Sequence, residues 1–175
     1  MKLIKTDFKD LIIIKHSVFI DQRGQFKETF RKKELEKNIS YKLNFCQENV
    51  VVSKFKSIRG LHFQNEPYSQ SKLISIIDGK ILDVAVDIRK NSKTYGKYFS
   101  YIMSTDSHES LFIPKGFAHG YLTLSKRAIV TYKVDNYYNK EMECGIAYND
   151  KNLKIDWGIE ERELKISLKD KNLKP

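Results

Sequence analysis

Four histidines stand in this 175-residue chain, and two of them lie in short segments suited to reactive chemistry. His62 sits in Arg59-Gly-Leu-His-Phe-Gln64, and His119 in Pro114-Lys-Gly-Phe-Ala-His-Gly120. An imidazole titrates near neutral pH, so either ring could move a proton, bind a metal or hold a hydrogen bond in a core. Taken alone, each is more commonly structural. A metal site in a β-sandwich wants two or three imidazoles with a carboxylate, commonly opening on His-x-His. Gln64, a poor ligand, occupies the position two after His62. A His62/His119/Glu143 triad is conceivable, but the spacing does not require one.

Arginines near glycines form a second group. Arg23 follows the turn in Phe19-Ile-Asp-Gln-Arg-Gly24, and Arg59 directly precedes Gly60. A guanidinium matches phosphate oxygens two at a time, and glycine lets the backbone approach a ligand closely. A surface arginine beside a turn is the plainer reading of each. Neither a P-loop nor GxGxxG occurs, so the sequence signals no phosphate site on a helix N-terminus. Asp83 and Asp87, on a regular strand, are the better partners for a buried histidine. Asp170 reads as a solvated residue of a charged tail. Tyr132, Tyr137 and Tyr138 lie on or just after a strongly β segment, where a tyrosine ordinarily packs its ring.

The elements that must position these residues are short strands. Leu82, Val84, Val86 and Ile88 alternate with Asp83, Ala85, Asp87 and Arg89, the pattern of a half-buried strand. Comparable runs lie near 11–20, 43–53, 71–77, 97–103, 109–113, 117–124 and 127–138. Turn residues at Asp21–Gly24, Asp78-Gly79, Asn91–Thr94 and Pro114-Lys115-Gly116 separate them. Only Arg31–Asn38 and the stretch Ile159–Leu164 read as helical. Many strands with few helices predict a β-sandwich, jelly roll or barrel. No Pro/Gly/Ser-rich linker divides the chain, which predicts one domain over residues 1–175.

Composition narrows the partners. The net charge of +10 favours anionic ligands, but the lysines are scattered and form no stripe or block. A nucleic-acid surface is therefore not expected. No apolar run approaches the roughly 20 residues that span a bilayer, and Leu11–Ile14 is too short for a signal-peptide core. Cys46 and Cys144 form no CxxC pair and no disulfide framework, which fits a reducing cytoplasm.

Several motifs occur together and in one order: Phe19-x-Asp-x-Arg-Gly, Gln47-Glu-Asn49, RGLHFQ at 59–64 and Lys72-Leu. They continue with Asp83-Val-Ala-Val-Asp-Ile-Arg89, Ile113-Pro-x-Gly-Phe-Ala-His-Gly120, Tyr132-Lys and Asn149-Asp150. In these the chain resembles the dTDP-4-dehydrorhamnose 3,5-epimerases, cofactor-free enzymes of the cupin fold. The resemblance runs from about residue 3 to residue 170. It departs at Glu48, where the family usually has aspartate, and at Gly158, where proline usually follows the tryptophan.

The resemblance implies a cupin jelly roll, a homodimer, and a nucleoside-diphosphate 4-keto sugar as substrate. His62 would be the base, paired with Asp170, with Tyr132 as the acid across the sugar ring and Lys72 stabilising an enolate. Arg23, Glu28, Gln47, Asn49, Arg59, His119, Tyr138, Glu143 and Lys169 would hold the sugar nucleotide. No metal or cofactor is implied. The rival readings are an epimerase that inverts one carbon or acts on another nucleoside-diphosphate 4-keto sugar, a metal-dependent cupin and a non-catalytic binding module. A geometric puzzle accompanies these roles. Arg59 and His62 are three apart, so a flat strand would point them to opposite faces. Gly60 is the natural place for a bulge that reconciles them.

Overall fold

Alternating apolar and polar residues, interrupted at short intervals by turns, make this a β protein. The computed structural model describes residues 1–173. Its first strands are β1 (Lys2–Lys5), β2 (Ile12–Lys15), β3 (Val18–Asp21) and β4 (Gly24–Lys27), followed by helix α1 (Lys32–Glu36). Next come β5 (Gln47–Lys54), β6 (Ile58–Gln64), β7 (Lys72–Asp78), β8 (Lys80–Asp87) and β9 (Tyr98–Ser104). The chain continues through β10 (Glu109–Ile113), β11 (Phe117–Thr123), β12 (Arg127–Val134) and β13 (Glu143–Gly145) to helix α2 (Leu168–Lys171).

The strands form a cupin-type jelly roll of two antiparallel sheets. One has the order β1-β2-β10-β7-β12-β5, and the other the order β13-β6-β11-β8-β9. The hairpin β3–β4 pairs with neither. Between the sheets, Ile13, Ile74, Leu111 and Val130 from one face Ile81, Ala85, Met103 and Tyr121 from the other. Each large aliphatic side chain withdrawn from water here contributes about 1.5–3 kcal/mol. Period two carries the same inward face onward into polar residues. Lys72 precedes Ile74 and Ile76 on β7, and Tyr132 follows Val130 on β12, so the apolar layer ends in a polar one.

The outer faces are not left bare. Segment 146–166 lays Tyr148, Trp157 and several isoleucines over Val84, Val86, Ala118 and Leu122. That cover explains why β8, expected to be half-buried, is buried on both faces from Val84 to Asp87. On the other sheet, Leu35 of α1 and Leu43 cover Ile12, Ile14 and Phe112. Leu43 therefore belongs to a covering loop rather than to the strand expected from residue 43. The expected run at 127–138 likewise stops at Val134, where Asp135 turns to accept the Ser71 backbone N–H. The helical stretch at Ile159–Leu164 shrinks to one 3-10 turn, Glu161–Glu163.

Between β6 and β11 the register shifts: His119 pairs with His62, whereas Tyr121 pairs with Arg59. Three residues of β6 thus span two of β11, and the extra residue restores Arg59 and His62 to one face. Gly60 makes this possible. Its φ is +105°, and a Cβ there would stand 2.5 Å from the His119 carbonyl oxygen. Gly60→Ala is expected to cost about 1–3 kcal/mol from backbone conformation alone, before the clash is counted. Urea unfolding should show a lowered midpoint with an unchanged slope. A wild-type midpoint would mean that the two strands can part without penalty.

Candidate active site

At the polar end of the sandwich, two adjoining cavities of about 300 and 260 Å3 share His62, Lys72 and Tyr132 in their walls. Gln47, Asn49, Tyr138 and Glu143 line the larger one. Arg59, His119, Lys169 and Asp170 line the smaller. Eleven of the thirteen residues singled out from the sequence therefore converge on one place. The two sheets supply opposite walls. His62, Arg59 and His119 come from β6 and β11, whereas Lys72, Tyr132, Gln47 and Asn49 come from β7, β12 and β5.

Asp170 corrects the reading of it as a solvated tail residue. It is 4% exposed, because α2 seats it against β6. Ser167 caps that turn by accepting the Asp170 N–H, and the carboxylate accepts the Gly60 N–H at 3.2 Å. Its other oxygen lies 2.9 Å from His62 Nε2. Burial would raise the carboxyl pKa, but the bond and charge of His62 and the Gly60 N–H outweigh it and hold the group below its ordinary value. A carboxylate can only accept, so this bond fixes the Nε2 proton and leaves Nδ1 as the basic nitrogen of a neutral ring.

His119, the cross-strand neighbour of His62, has its own carboxylate partner. Its Nε2 lies 2.9 Å from the fully buried Asp83. The expectation of a buried histidine for Asp83 is thus met. Asp87 does something else, binding Arg89, Ser92 and Thr94 in the loop after β8. His62 Nδ1 also lies 3.9 Å from Glu143 Oε1, but His119 is turned to Asp83, so His62, His119 and Glu143 do not converge as a triad. Among the described residues, no group of three His, Cys, Asp or Glu side chains is arranged to hold a metal ion.

Lys72 is the most perturbed cation of the site. Burial drives its pKa down to about 8, and the negative charges of Asp83 and Glu143 only partly restore it. Its Nζ donates to the His62 carbonyl oxygen at 3.2 Å. Tyr132 moves the other way, with burial raising its pKa against the opposing Arg59 charge and a bond with Asn49, so the phenol keeps its proton. Glu143 accepts from Tyr138 Oη at 2.7 Å and from Lys169 Nζ at 2.6 Å, joining three wall residues into one cluster. Gln47 donates to Asn49 at 3.0 Å along the inward face of β5. Glu48, a departure from the family pattern, points outward to Lys133 and Thr131, so it leaves the cavity unchanged.

Arg23 and Glu28 lie elsewhere in the chain. Arg23 pairs with Asp21 at the exposed tip of the β3–β4 hairpin, and Glu28 pairs with Arg31. Neither lines the two cavities. Sequence reasoning missed Ser53 and Tyr121, which form the support of Arg59: Arg59 Nε donates to Ser53 Oγ at 2.9 Å, and Tyr121 Oη lies 3.1 Å from that oxygen. No motif marks either, and only inward parity on β5 and β11 could have pointed to them.

Known proteins match this architecture. The family model described as dTDP-4-dehydrorhamnose 3,5-epimerase matches residues 5–175. The Escherichia coli (strain K12) enzyme of that description is 45% identical over 90% of this chain and 85% of its own. The one from Methanothermobacter thermautotrophicus is 44% identical over 99% of this chain and 94% of its own. Among solved structures, the Elizabethkingia anophelis dTDP-4-dehydrorhamnose 3,5-epimerase superposes with a TM-score of 0.95 at 42% identity, covering 99% of this chain and 95% of that one. A Legionella pneumophila 3,5-epimerase in complex with dTDP-4-keto-L-rhamnose gives 0.93 at 39% identity, covering 99% and 91%.

The electrostatics of the cavity can be checked directly. Carbon-13 NMR of the Lys72 side chain should give a titration midpoint at about 8. Asp83→Asn, which removes a favourable negative charge, should lower that midpoint further. A midpoint near that of a free lysine would show that water reaches the ammonium.

Proposed function

The chain belongs to the dTDP-4-dehydrorhamnose 3,5-epimerase family, and from that premise we propose how its own residues convert dTDP-4-dehydro-6-deoxy-D-glucose to dTDP-4-dehydro-L-rhamnose. The observation that carries the proposal is the oriented imidazole of His62 on one sheet, facing a protonated tyrosine and a buried ammonium on the other.

The reaction inverts two carbons, C3 and C5, both α to the C4 ketone. One site can therefore serve both, provided it stabilises the enolate that each abstraction leaves. His62 takes the proton at Nδ1, with Asp170 stabilising the imidazolium that forms. Lys72 places its charge where the C4 oxygen becomes negative, in surroundings that water screens poorly. Tyr132 returns a proton to the opposite face, which inverts the carbon, and its raised pKa keeps it loaded for that step. Arg59 and Lys169 face the diphosphate as cations, and Gln47, Asn49, His119, Tyr138 and Glu143 complete the nucleotide-sugar wall. Side chains fill every role, with no cofactor.

Arg23 and Glu28 belong to this reading through a homodimer. The hairpin carrying Arg23 exposes Phe19, Ile20 and Phe26, all more than 60% accessible, and pairs with neither sheet. Reaching across to a second copy would bury that apolar surface and bring both polar residues to the partner's cavity. No described helix is long and apolar enough to cross a membrane. The two free cysteines fit the reducing cytoplasm, where nucleotide sugars are made.

Incubation with dTDP-4-dehydro-6-deoxyglucose in deuterium oxide, followed by NMR, tests the assignment of roles. His62→Ala should lose deuterium entry at both C3 and C5 while still binding dTDP. Tyr132→Phe should fold and still exchange through His62, because abstraction and return on one face remain open, yet invert poorly. Exchange at the wild-type rate in the first variant, or normal inversion in the second, would remove that residue from its role. With the wild type, the rate should fall as pH rises through about 8, where Lys72 loses its charge.

The dimer has its own test. His62→Ala and Arg23→Ala should each be nearly inactive alone. Mixed and allowed to exchange subunits, they should regain about a quarter of wild-type activity, because half the dimers are mixed and each holds one intact site. No recovery, with subunit exchange verified by mass, would confine Arg23 to its own chain.

A further inference from the structure

Gln64, which stands where a metal-binding cupin would have histidine, lines the larger cavity beside His62 and Tyr138. It is 7% exposed, yet none of its hydrogen bonds goes to another side chain. Its Nε2 donates to the Tyr68 carbonyl at 2.7 Å and to the Tyr137 carbonyl at 3.2 Å. Its Oε1 accepts from the Asn139 N–H at 2.7 Å. Both donor hydrogens and the acceptor are thus spent on main chain, and two of the three bonds bracket Tyr138. The Tyr138 N–H itself donates to Gln47 Oε1 at 3.2 Å. Two glutamines, one from each sheet, therefore grip the backbone on both sides of a residue whose own side chain is 53% exposed at the cavity mouth.

The loop after β12 is held mainly by polar bonds, with Asp135 and Ser71 joined at its start and Asn65 donating to the Met142 carbonyl near its end. It leaves its strand at Val134 and rejoins the sheet only at Glu143. Its apolar side chains Tyr137 and Tyr138 lie in solvent rather than in a core. Polar staples replace packing: Gln70 Nε2 donates to the Asn136 carbonyl, and Asn136 Nδ2 to the Pro67 carbonyl. These tie the loop to the one after β6, and Gln64, the most buried of the staples, holds the backbone on both sides of Tyr138.

We infer that Gln64 is a positioning residue that sets the direction of Tyr138, and through it the affinity for the nucleotide sugar, without touching proton transfer. The inference rests on the reading of Tyr138 and Glu143 as the substrate-binding wall. Fixing a loop in its bound shape removes the ordering cost from the binding step. Loss of Gln64 should therefore appear in KM and not in kcat.

Gln64→Met keeps volume and removes all three bonds. Gln64→Glu keeps the acceptor for Asn139 and turns a carboxylate toward two carbonyls. Each should raise KM, and Kd for dTDP by calorimetry, about tenfold, with kcat and its pH profile within about twofold of wild type. Tyr138→Ala should raise KM comparably, and Gln64→Met added to it should raise KM little further, because both act through one side chain. Additive losses in the double variant would overturn the inference while leaving Tyr138 in its role. An unchanged KM in Tyr138→Ala would instead overturn the binding reading itself. A fall in kcat with KM unchanged, or loss of the folded circular dichroism signal in both Gln64 variants, would assign Gln64 to catalysis or to the fold and end the proposal.

Discussion

A carboxylate beside an imidazole decides which of the two ring nitrogens is basic, and here that decision organises the site. Asp170 binds Nε2 of His62 and the Gly60 N–H together, so one buried group orients the imidazole and pins the bulge that turns it inward. Without the bulge, Arg59 and His62 would face opposite ways. Without the carboxylate, the ring could present either nitrogen. The Gly60 backbone and the Asp170 side chain are therefore parts of one device, although they come from a strand and from a helical turn remote in sequence.

The rest of the cavity follows from the cost of burying charge. Lys72 sits at the inner end of β7, where desolvation presses its pKa down to about 8, and Asp83 and Glu143 keep it ionised near neutrality. An ammonium so placed gains more from a new negative charge beside it than one in water would. Tyr132 is displaced upward by the same burial. One low-dielectric wall thus lowers the pKa of a lysine and raises that of a tyrosine beside it.

Much of this was legible in the sequence, for a physical reason. The resemblance singled out Gln47, Asn49, Lys72 and Tyr132, and inward parity on β5, β7 and β12 explains why they meet, because period two repeats along each strand. Asp83 announced a buried histidine in the same way and found His119. What stayed hidden lacks periodicity. Asp170 lies in a four-residue helix within a charged stretch, and its burial depends on Ser167 capping and on contact with β6. The strands β1, β4 and β13 have only three or four residues each, too few for a pattern to emerge. Arg23 and Glu28 entered through the resemblance as substrate-binding residues, yet they line neither cavity, and a hairpin that pairs with neither sheet does not disclose its destination.

The separation of 108 residues between His62 and Asp170 has a temporal meaning as well as a spatial one. A ribosome adding roughly 5–20 residues per second lays down the imidazole some 5–20 s before its carboxylate. By the end of that interval all thirteen described strands have been synthesised, and segment 146–166, which covers the outer face of β8 and β11, is the last long stretch added before Asp170. The same stretch of chain that leads to Asp170 closes that apolar face. A nascent chain that still displays that face has therefore not yet received the carboxylate that orients His62.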